Sequence, residues 1–321
     1  MYGLSTSQLQ ALYDGARKWF TLSYGLAGPI TFFIDAPFGR FTPTEGSLFH
    51  SNWLIVDGIK SWIIMEIVSP LFFLYTFANA PFSGGLRPAL MPGNPLSLLV
   101  GAYLLHYLNR AIISPLRTPS RSKAHIIAPA AAVAFNTLNG SLLGAFLSSP
   151  NAPKDSAAHR SSFWVGMALW LVGFVGNVVH DEILLNLRRK AKSKGKSKNE
   201  TNGATTTGEH YAIPYGLLYR YISYPNYFCE WVEWLGFAIA ADPRPLSANY
   251  SSLLHFSTWT NALSPASPAS AFFPLLSPPW IFLVVELATM YPRAYRGHQW
   301  YLHKFGGSYP KERKIVIPFL Y

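Results

Sequence analysis

The sequence predicts an all-α, polytopic membrane protein of about seven transmembrane helices, with a lumenal N-terminus and a cytosolic C-terminus. Three observations carry that expectation. Half of the 321 residues are hydrophobic and only 13% are charged, against about 25% charged in soluble domains. The apolar residues fall into runs, most of them long enough to cross a bilayer. The basic residues, 26 against 15 acidic for a net charge of +11, cluster between those runs. Mean hydropathy is +0.17, and so much apolar surface excludes a largely disordered chain.

Taken in order, the runs lie at 19–34, 61–77, 96–113, 126–147, 163–185, 227–241 and 272–290, the first and sixth being short for a span. Arg110, Arg117, Arg121 and Lys123 follow the third run. Seven basic residues from Arg188 to Lys198 follow the fifth, and six from Arg293 to Lys314 follow the seventh. Odd-numbered spans therefore end on one basic side, which the positive-inside rule places in the cytosol. The segment before Trp19 lacks the basic region of a secretory signal, so the first span is expected to be retained.

The chain reads as a single integral-membrane domain over 1–321 with two insertions. Residues 190–209, rich in Lys, Ser, Gly, Thr and Asn, read as a flexible cytosolic basic linker. Residues 241–277, rich in Ser, Pro and Ala, read as a lumenal loop, and Asn249-Tyr250-Ser251 within it is a glycosylation sequon.

Several classes are excluded by what is missing. The single cysteine, Cys229, offers no internal disulfide, and no Cys/His zinc spacing occurs. G-x-G-x-x-G, H-E-x-x-H and G-x-S-x-G are absent. Gly195-Lys196-Ser197 looks like the end of a phosphate loop, but Lys190 stands where its first glycine belongs. The histidines are scattered, so no metal site is expected. Gly173 and Gly176 read as helix-packing positions. The basic run after Arg188 reads as a topology signal or a contact with anionic lipid; it lacks the aromatic platform that nucleic acid needs. No obligate protein partner is evident.

Ionisable groups at membrane depth cost about 2.5–3.5 kcal/mol at a helix centre, which makes each a functional hypothesis. Glu66 sits in the middle of the second run, where desolvation favours a neutral carboxyl, as a hydrogen-bond donor or half of a shared-proton pair. A helix–helix hydrogen bond without chemistry is the alternative. Asn177, Asp181 and Arg188, at i, i+4 and i+11, share a helical face. An amide, a carboxylate and a guanidinium suit a sugar hydroxyl, an adenine edge and a phosphate, while an interfacial Asp181–Arg188 ion pair would need no ligand. Asn226, Glu230 and Glu233, at i, i+4 and i+7 behind Pro225, form a second polar stripe, expected to face a polar cavity or a partner. By composition Tyr107, beside His106 and Arg110, reads as an interfacial anchor. Glu286 reads as a buried acid in a structural hydrogen bond.

The C-terminal third is where a family becomes recognisable. Tyr224-Pro225-Asn226-Tyr227-Phe228-Cys229-Glu230-Trp231-Val232-Glu233-Trp234-Leu235-Gly236-Phe237-Ala238 resembles the N-[YF]-x-x-E-x-x-E-W-x-G-[YF]-A stretch of the steroid 5α-reductase (3-oxo-5α-steroid 4-dehydrogenase) family. So does the tail, His298-Gln299-Trp300-Tyr301-Leu302 followed by Lys304-Phe305, Tyr309-Pro310-Lys311, Arg313-Lys314 and Ile317-Pro318-Phe319. Residues 224–321 thus read as a family-signature region. Upstream, Trp62 to Pro70 is similar to the family's W-x-x-x-E-x-x-x-P, His106-Tyr107 through Arg110 to its H-Y-x-x-R, and Asn177 through Asp181 to its N-x-x-x-D.

This resemblance implies a seven-helix, multi-pass enzyme of the endoplasmic reticulum membrane. It implies NADPH-dependent reduction of the Δ4 double bond of a 3-oxo steroid or sterol-like enone to the 5α product. Carried over position by position, Glu66 and Tyr107 match the catalytic pair that hydrogen-bonds the 3-carbonyl. Asn177, Asp181, Arg188, Tyr211, Asn226, Arg293 and Tyr301 match cofactor contacts, Arg121 a basic position on the cytosolic loop, and Glu230 a carboxylate of the shared substrate and cofactor cavity. Hydride addition to C5 puts negative charge on the carbonyl oxygen, which a tyrosine hydroxyl beside a buried acid stabilises in a dry site; a proton then reaches C4.

Departures from the pattern include Tyr295-Arg296-Gly297-His298, where some relatives have consecutive histidines, Gly306-Gly307-Ser308 in place of an acidic stretch, and Met65 beside Glu66. The two insertions exceed family norms. Two alternatives stand beside this reading: a lipid enoyl reductase for polyprenal or very-long-chain enoyl thioesters on the same fold, and a non-catalytic membrane binding or transport protein.

Overall fold

The computed structural model describes residues 4–34, 37–38, 41–42, 52–84, 86, 88–150, 152–153, 155–201, 212–243, 255–272 and 276–320, with side chains only to 193 in the fourth of these longer helical stretches. Tyr211 and the 249–251 sequon lie outside the described residues. The chain is mostly helical. Helix α1 (Thr6–Ile30) opens on a capping box: the Ser5 hydroxyl accepts from the Gln8 N–H, and the Gln8 side chain accepts from the Ser5 N–H. Asp57 caps α2 (Gly58–Asn79) by accepting from the N–H groups of Ile59 and Lys60, and Ala80, left-handed at φ 41°, ends it. Asn94 caps α3 (Pro95–Tyr107), which continues through a π-helical turn, Leu108–Ile113, into the short α4 (Ser114–Arg117).

There follow α5 (Ile127–Leu147), α6 (Ser161–Thr201), α7 (Pro225–Ala241), α8 (Phe256–Leu263) and α9 (Pro278–Phe305). Among the described residues, Gly58–Asn79, Pro95–Arg117, Ile127–Leu147 and Ser161–Ser193 are long and apolar enough to cross a membrane. These carry the second to fifth expected spans. The sixth coincides with α7, the first overlaps α1, and the seventh overlaps α9. Proline at the first position of α7 agrees with the expected helix start at Pro225.

The two insertions differ from their compositional reading. Backbone helix continues to Thr201, through 190–201, where a linker is expected. Lysine and alanine are good helix formers, and an existing helix needs no new nucleus to propagate. Within 241–277, α8 forms, and Ser264, Ser267 and Leu276 are tied to α1. The Lys18 ammonium of α1, 1% exposed, donates to the carbonyls of Ser264 (2.6 Å) and Ser267 (2.5 Å), and Arg17 donates to the Leu276 carbonyl.

Close backbone approach sets the packing. A Cβ at Gly173 would strike the backbone of Glu233 and Cys229, and one at Gly166 the backbone of Gly236 and Ala240, so α6 and α7 meet without intervening side chains. Gly140 and Gly144 bring α5 onto the Ser69–Phe77 face of α2 in the same way. Trp234, 1% exposed, sits at the centre of the apolar core with its ring 4.6 Å from Phe282 and 5.6 Å from Phe237.

Two backbone clasps close the end of the bundle where the basic segments gather. Strands β1 (Ile55–Val56) and β2 (Ala124–His125) pair antiparallel, and Phe38 bridges to Ala124. At the C-terminus Ile222 bridges to Lys314, and the Ser223 hydroxyl lies between His298 Nδ1 (2.6 Å) and the Tyr309 hydroxyl (2.7 Å).

Candidate active site

The clasps and helices enclose a cavity of about 530 Å³, within the usual range for small-molecule sites. Its walls come from α1, α2, α3 with its π-turn, α5, α6, α7 and α9. One end, towards the membrane-embedded core, is lined by Glu66, His106, Tyr107, Phe135, Asn136, Glu230, Phe282 and Glu286. The other is lined by Arg121, Arg188, Arg293 and Arg296 together with Asp181, Asn226 and Tyr301.

At the embedded end a single cation organises the acids. Arg110 Nε lies 3.2 Å from Glu66 Oε1, and its Nη1 lies 2.8 Å from Glu230 Oε1. Arg110 thus joins α2 to α7. It sits in the π-turn, a distortion that often marks functional positions in helices. The guanidinium lies 5.1 Å from the Trp62 ring, whose indole N–H donates to the Arg110 carbonyl at 3.1 Å. Next to it, His106 Nδ1 and Glu233 Oε1 are 2.7 Å apart, with Glu233 fully buried.

Tyr107 faces the same end. Its hydroxyl oxygen accepts from the Asn139 amide at 3.4 Å, and it belongs to a hydroxyl cluster with Ser69 and Tyr103. Among the described residues no hydrogen bond joins Glu66 directly to Tyr107. The sequence reading favours a neutral Glu66; the structure instead gives it the Arg110 guanidinium as a partner, because α3 brings a cation to α2.

At the other end the arginines are held on aromatic faces. The Arg121 guanidinium lies 3.7 Å from the Trp62 ring and that of Arg293 3.5 Å from Phe38. Cation–π contact offsets part of the repulsion between neighbouring like charges. Burial, followed by the charge of Arg188, pushes Arg121 down to about 10. Among the described residues, Arg293 Nη1 is enclosed without a hydrogen bond. A cluster of cations with an unsatisfied donor suits a polyanion, and the phosphates of a dinucleotide meet that description.

The remaining expected residues fall into two groups. Asp181 accepts from the Asn226 amide at 3.0 Å, and both line the cavity; the alternative Asp181–Arg188 ion pair is not formed. Tyr301 lines it too, stacked on Tyr309 with centroids 5.4 Å apart. Asn177 stands behind the wall, donating to the Asn226 carbonyl and to Glu230 Oε2, both at 3.1 Å, so it braces two lining residues. Sequence alone does not mark Arg110 as a site residue, because its place at a span end reads as a topology signal. The signal that finds it is charge balance: Glu66, Glu230, Glu233 and Glu286 all lie in apolar helices and need a cation.

Similarity to known proteins identifies the family. The family model for 3-oxo-5-alpha-steroid 4-dehydrogenase matches residues 122–260 and 271–321. A protein of Schizosaccharomyces pombe described as uncharacterized is 35% identical over 300 residues, covering 91% of this chain and 93% of its own. The steroid 5-alpha-reductase DET2 of Arabidopsis thaliana is 32% identical, covering 95% and 96%. The 3-oxo-5-alpha-steroid 4-dehydrogenase 1 of Rattus norvegicus is 31% identical, covering 89% and 87%. A cavity with a buried acid and tyrosine at one end and arginines at the other, carried by a chain with this pattern of similarity, belongs to the 3-oxo-5-alpha-steroid 4-dehydrogenase family of NADP-dependent oxidoreductases.

Proposed function

We propose that this protein reduces the Δ4 double bond of a 3-oxo steroid or sterol-like enone to the 5α product, with NADPH as the reductant. The observation that carries the reading is the polarity of one cavity: Tyr107 and the Glu66–Arg110–Glu230 group at its embedded end, four arginines at the other. A flat apolar ring system suits the helix-lined part, where Phe135 and Phe282 supply contact surface. The 3-carbonyl oxygen then meets the Tyr107 O–H, with Glu66 and Arg110 alongside.

The arginines hold the phosphates, Asp181 and Asn226 take ribose or adenine groups, and Tyr301 packs beside them; Tyr211 is a further cofactor contact. Bound there, NADPH would supply the hydride for C5, and negative charge would build up on the carbonyl oxygen. The Tyr107 hydroxyl stabilises it by hydrogen bonding, held near its working position by Asn139, Ser69 and Tyr103. Arg110 stands beside them, fixed between Glu66 and Glu230.

The reading includes a single seven-span domain of the endoplasmic reticulum membrane, with the arginine-lined end cytosolic and the segment at 241–277 lumenal. Lys18 and Arg17, which clasp that segment, and the two clasps at the opposite end are consistent with it. Purified protein given NADPH and testosterone-like or progesterone-like enones should form the 5α product. Glu66→Gln and Tyr107→Phe should each lose turnover by about 10²- to 10³-fold, the scale of a lost oxyanion donor, while remaining folded. Wild-type rates in both variants would remove the proposed electrophile, and reduction of polyprenal or an enoyl thioester in place of the steroid would move the chain to lipid enoyl reduction.

A further inference from the structure

The acids of the embedded end outnumber its cations. Glu66 and Glu230 share Arg110, and Glu233 pairs with His106. Among the described residues Glu286 has no such partner. It is 7% exposed, it lines the cavity, and among the described residues its Oε2 is enclosed without a hydrogen bond. It stands on α9 one turn from Phe282 and lines the same cavity as Glu66 and Tyr107. Among the described residues, the charged and titratable groups that interact with it electrostatically are Glu230, Arg110, Glu233, Glu66 and Tyr107. An unpaired carboxylate in such an enclosure is costly, whereas the acid form is not. With Arg110 already taken up by two carboxylates, Glu286 is the acid left to hold a proton.

The reaction proposed above needs a proton at this end. Hydride addition forms the C5–H bond, converts C4=C5 into C3=C4 and moves the carbonyl π pair onto oxygen 3. Tyr107 and Arg110 stabilise that oxygen, but neither accounts for the new C4–H bond. The geometry points to Glu286 as the proton donor to C4. In that step the C3=C4 pair takes the carboxyl proton, the C4–H bond forms as the O–H bond breaks, and the C3 carbonyl is restored. The carboxylate left behind regains its proton from water entering through the arginine-lined end as product departs. This inference rests on the steroid reductase reading and adds the second half of its chemistry.

Full-length protein in detergent, with NADPH and a 3-oxo-Δ4 steroid in deuterated water, tests the assignment. The wild type should place one deuterium on a single face of C4. Glu286→Gln, which keeps the volume but cannot donate an acid proton, should lose about 10²- to 10⁴-fold in kcat with NADPH affinity unchanged, and its residual product should carry deuterium on both faces. Glu286→Asp should retain single-face labelling at a reduced rate. A readout without turnover is the infrared carbonyl stretch of a protonated carboxylic acid in cofactor-free protein, present in the wild type and diminished in Glu286→Gln. Wild-type kcat with single-face labelling in Glu286→Gln overturns this inference alone. A wild type that binds NADPH but leaves the steroid unreduced overturns the functional reading and this step with it, whatever the infrared spectrum shows.

Discussion

Replacing Arg110 with methionine is the sharpest test of how the embedded end is held together. Methionine keeps much of the side chain's length and its contact with Trp62, but it removes the charge that lies 3.2 Å from Glu66 and 2.8 Å from Glu230. Breaking a buried ion pair by deleting one partner costs about 3–5 kcal/mol, because the other charge is left uncompensated. Here two carboxylates are stranded, yet the Arg110 side chain is 26% exposed and some water reaches it. The lower end of the range, about 3 kcal/mol, is therefore the expectation, equivalent to roughly a hundredfold in the folding equilibrium.

The compensated variant, Arg110→Met with Glu66→Gln and Glu230→Gln, removes both stranded charges. It should recover most of the loss, since neutral replacement of a whole buried group is often tolerated. Denaturant unfolding of the three proteins in the same detergent reads the difference directly. An Arg110→Met protein as stable as the wild type, or a compensated variant no better than the single one, would refute the claim that this cation neutralises α2 and α7 together.

Two further outcomes follow from the same geometry. Burial and the charge of Arg188 bring Arg121 down to about 10; its protonated form attracts phosphate and is lost as pH rises through that value. The dissociation constant for NADPH, followed by fluorescence, should therefore climb near pH 10 in the wild type, and Arg121→Gln should flatten that climb while weakening binding at neutral pH. Gly173→Val forces side-chain atoms into the backbone of Glu233 and Cys229 and should cost about 1–3 kcal/mol of stability, read as a lower thermal unfolding midpoint; an unchanged midpoint would mean that α6 and α7 are not in backbone contact.

Much of this protein is legible in its residues before any folding is considered. Apolar runs place the helices, because a bilayer or a core demands continuous apolar surface from whatever crosses it. Pro225 marks the start of α7, since a residue without an N–H suits the first helical turn. Residues Asn226, Glu230 and Glu233 share a face of that helix by spacing alone, and Glu230 and Glu233 are buried on it. Composition misleads at 190–201, where lysines and an alanine extend a long helix that already leads into the segment.

What the chain's own order could not reveal is which charges neutralise one another. Arg110 looks like a span-end topology signal until α2 and α7 are seen to bring Glu66 and Glu230 to it from distant parts of the sequence. Asn177 shares a helical face with Asp181, yet the rotation of α6 against α7 turns its amide behind the cavity wall and onto Glu230. Glu286 looks like any buried acid until Arg110 is found to be held by Glu66 and Glu230. Helical periodicity is a local property of consecutive residues and can be read from them. Charge pairing inside a low-dielectric bundle acts across helices over a few ångströms, and only the tertiary structure decides it.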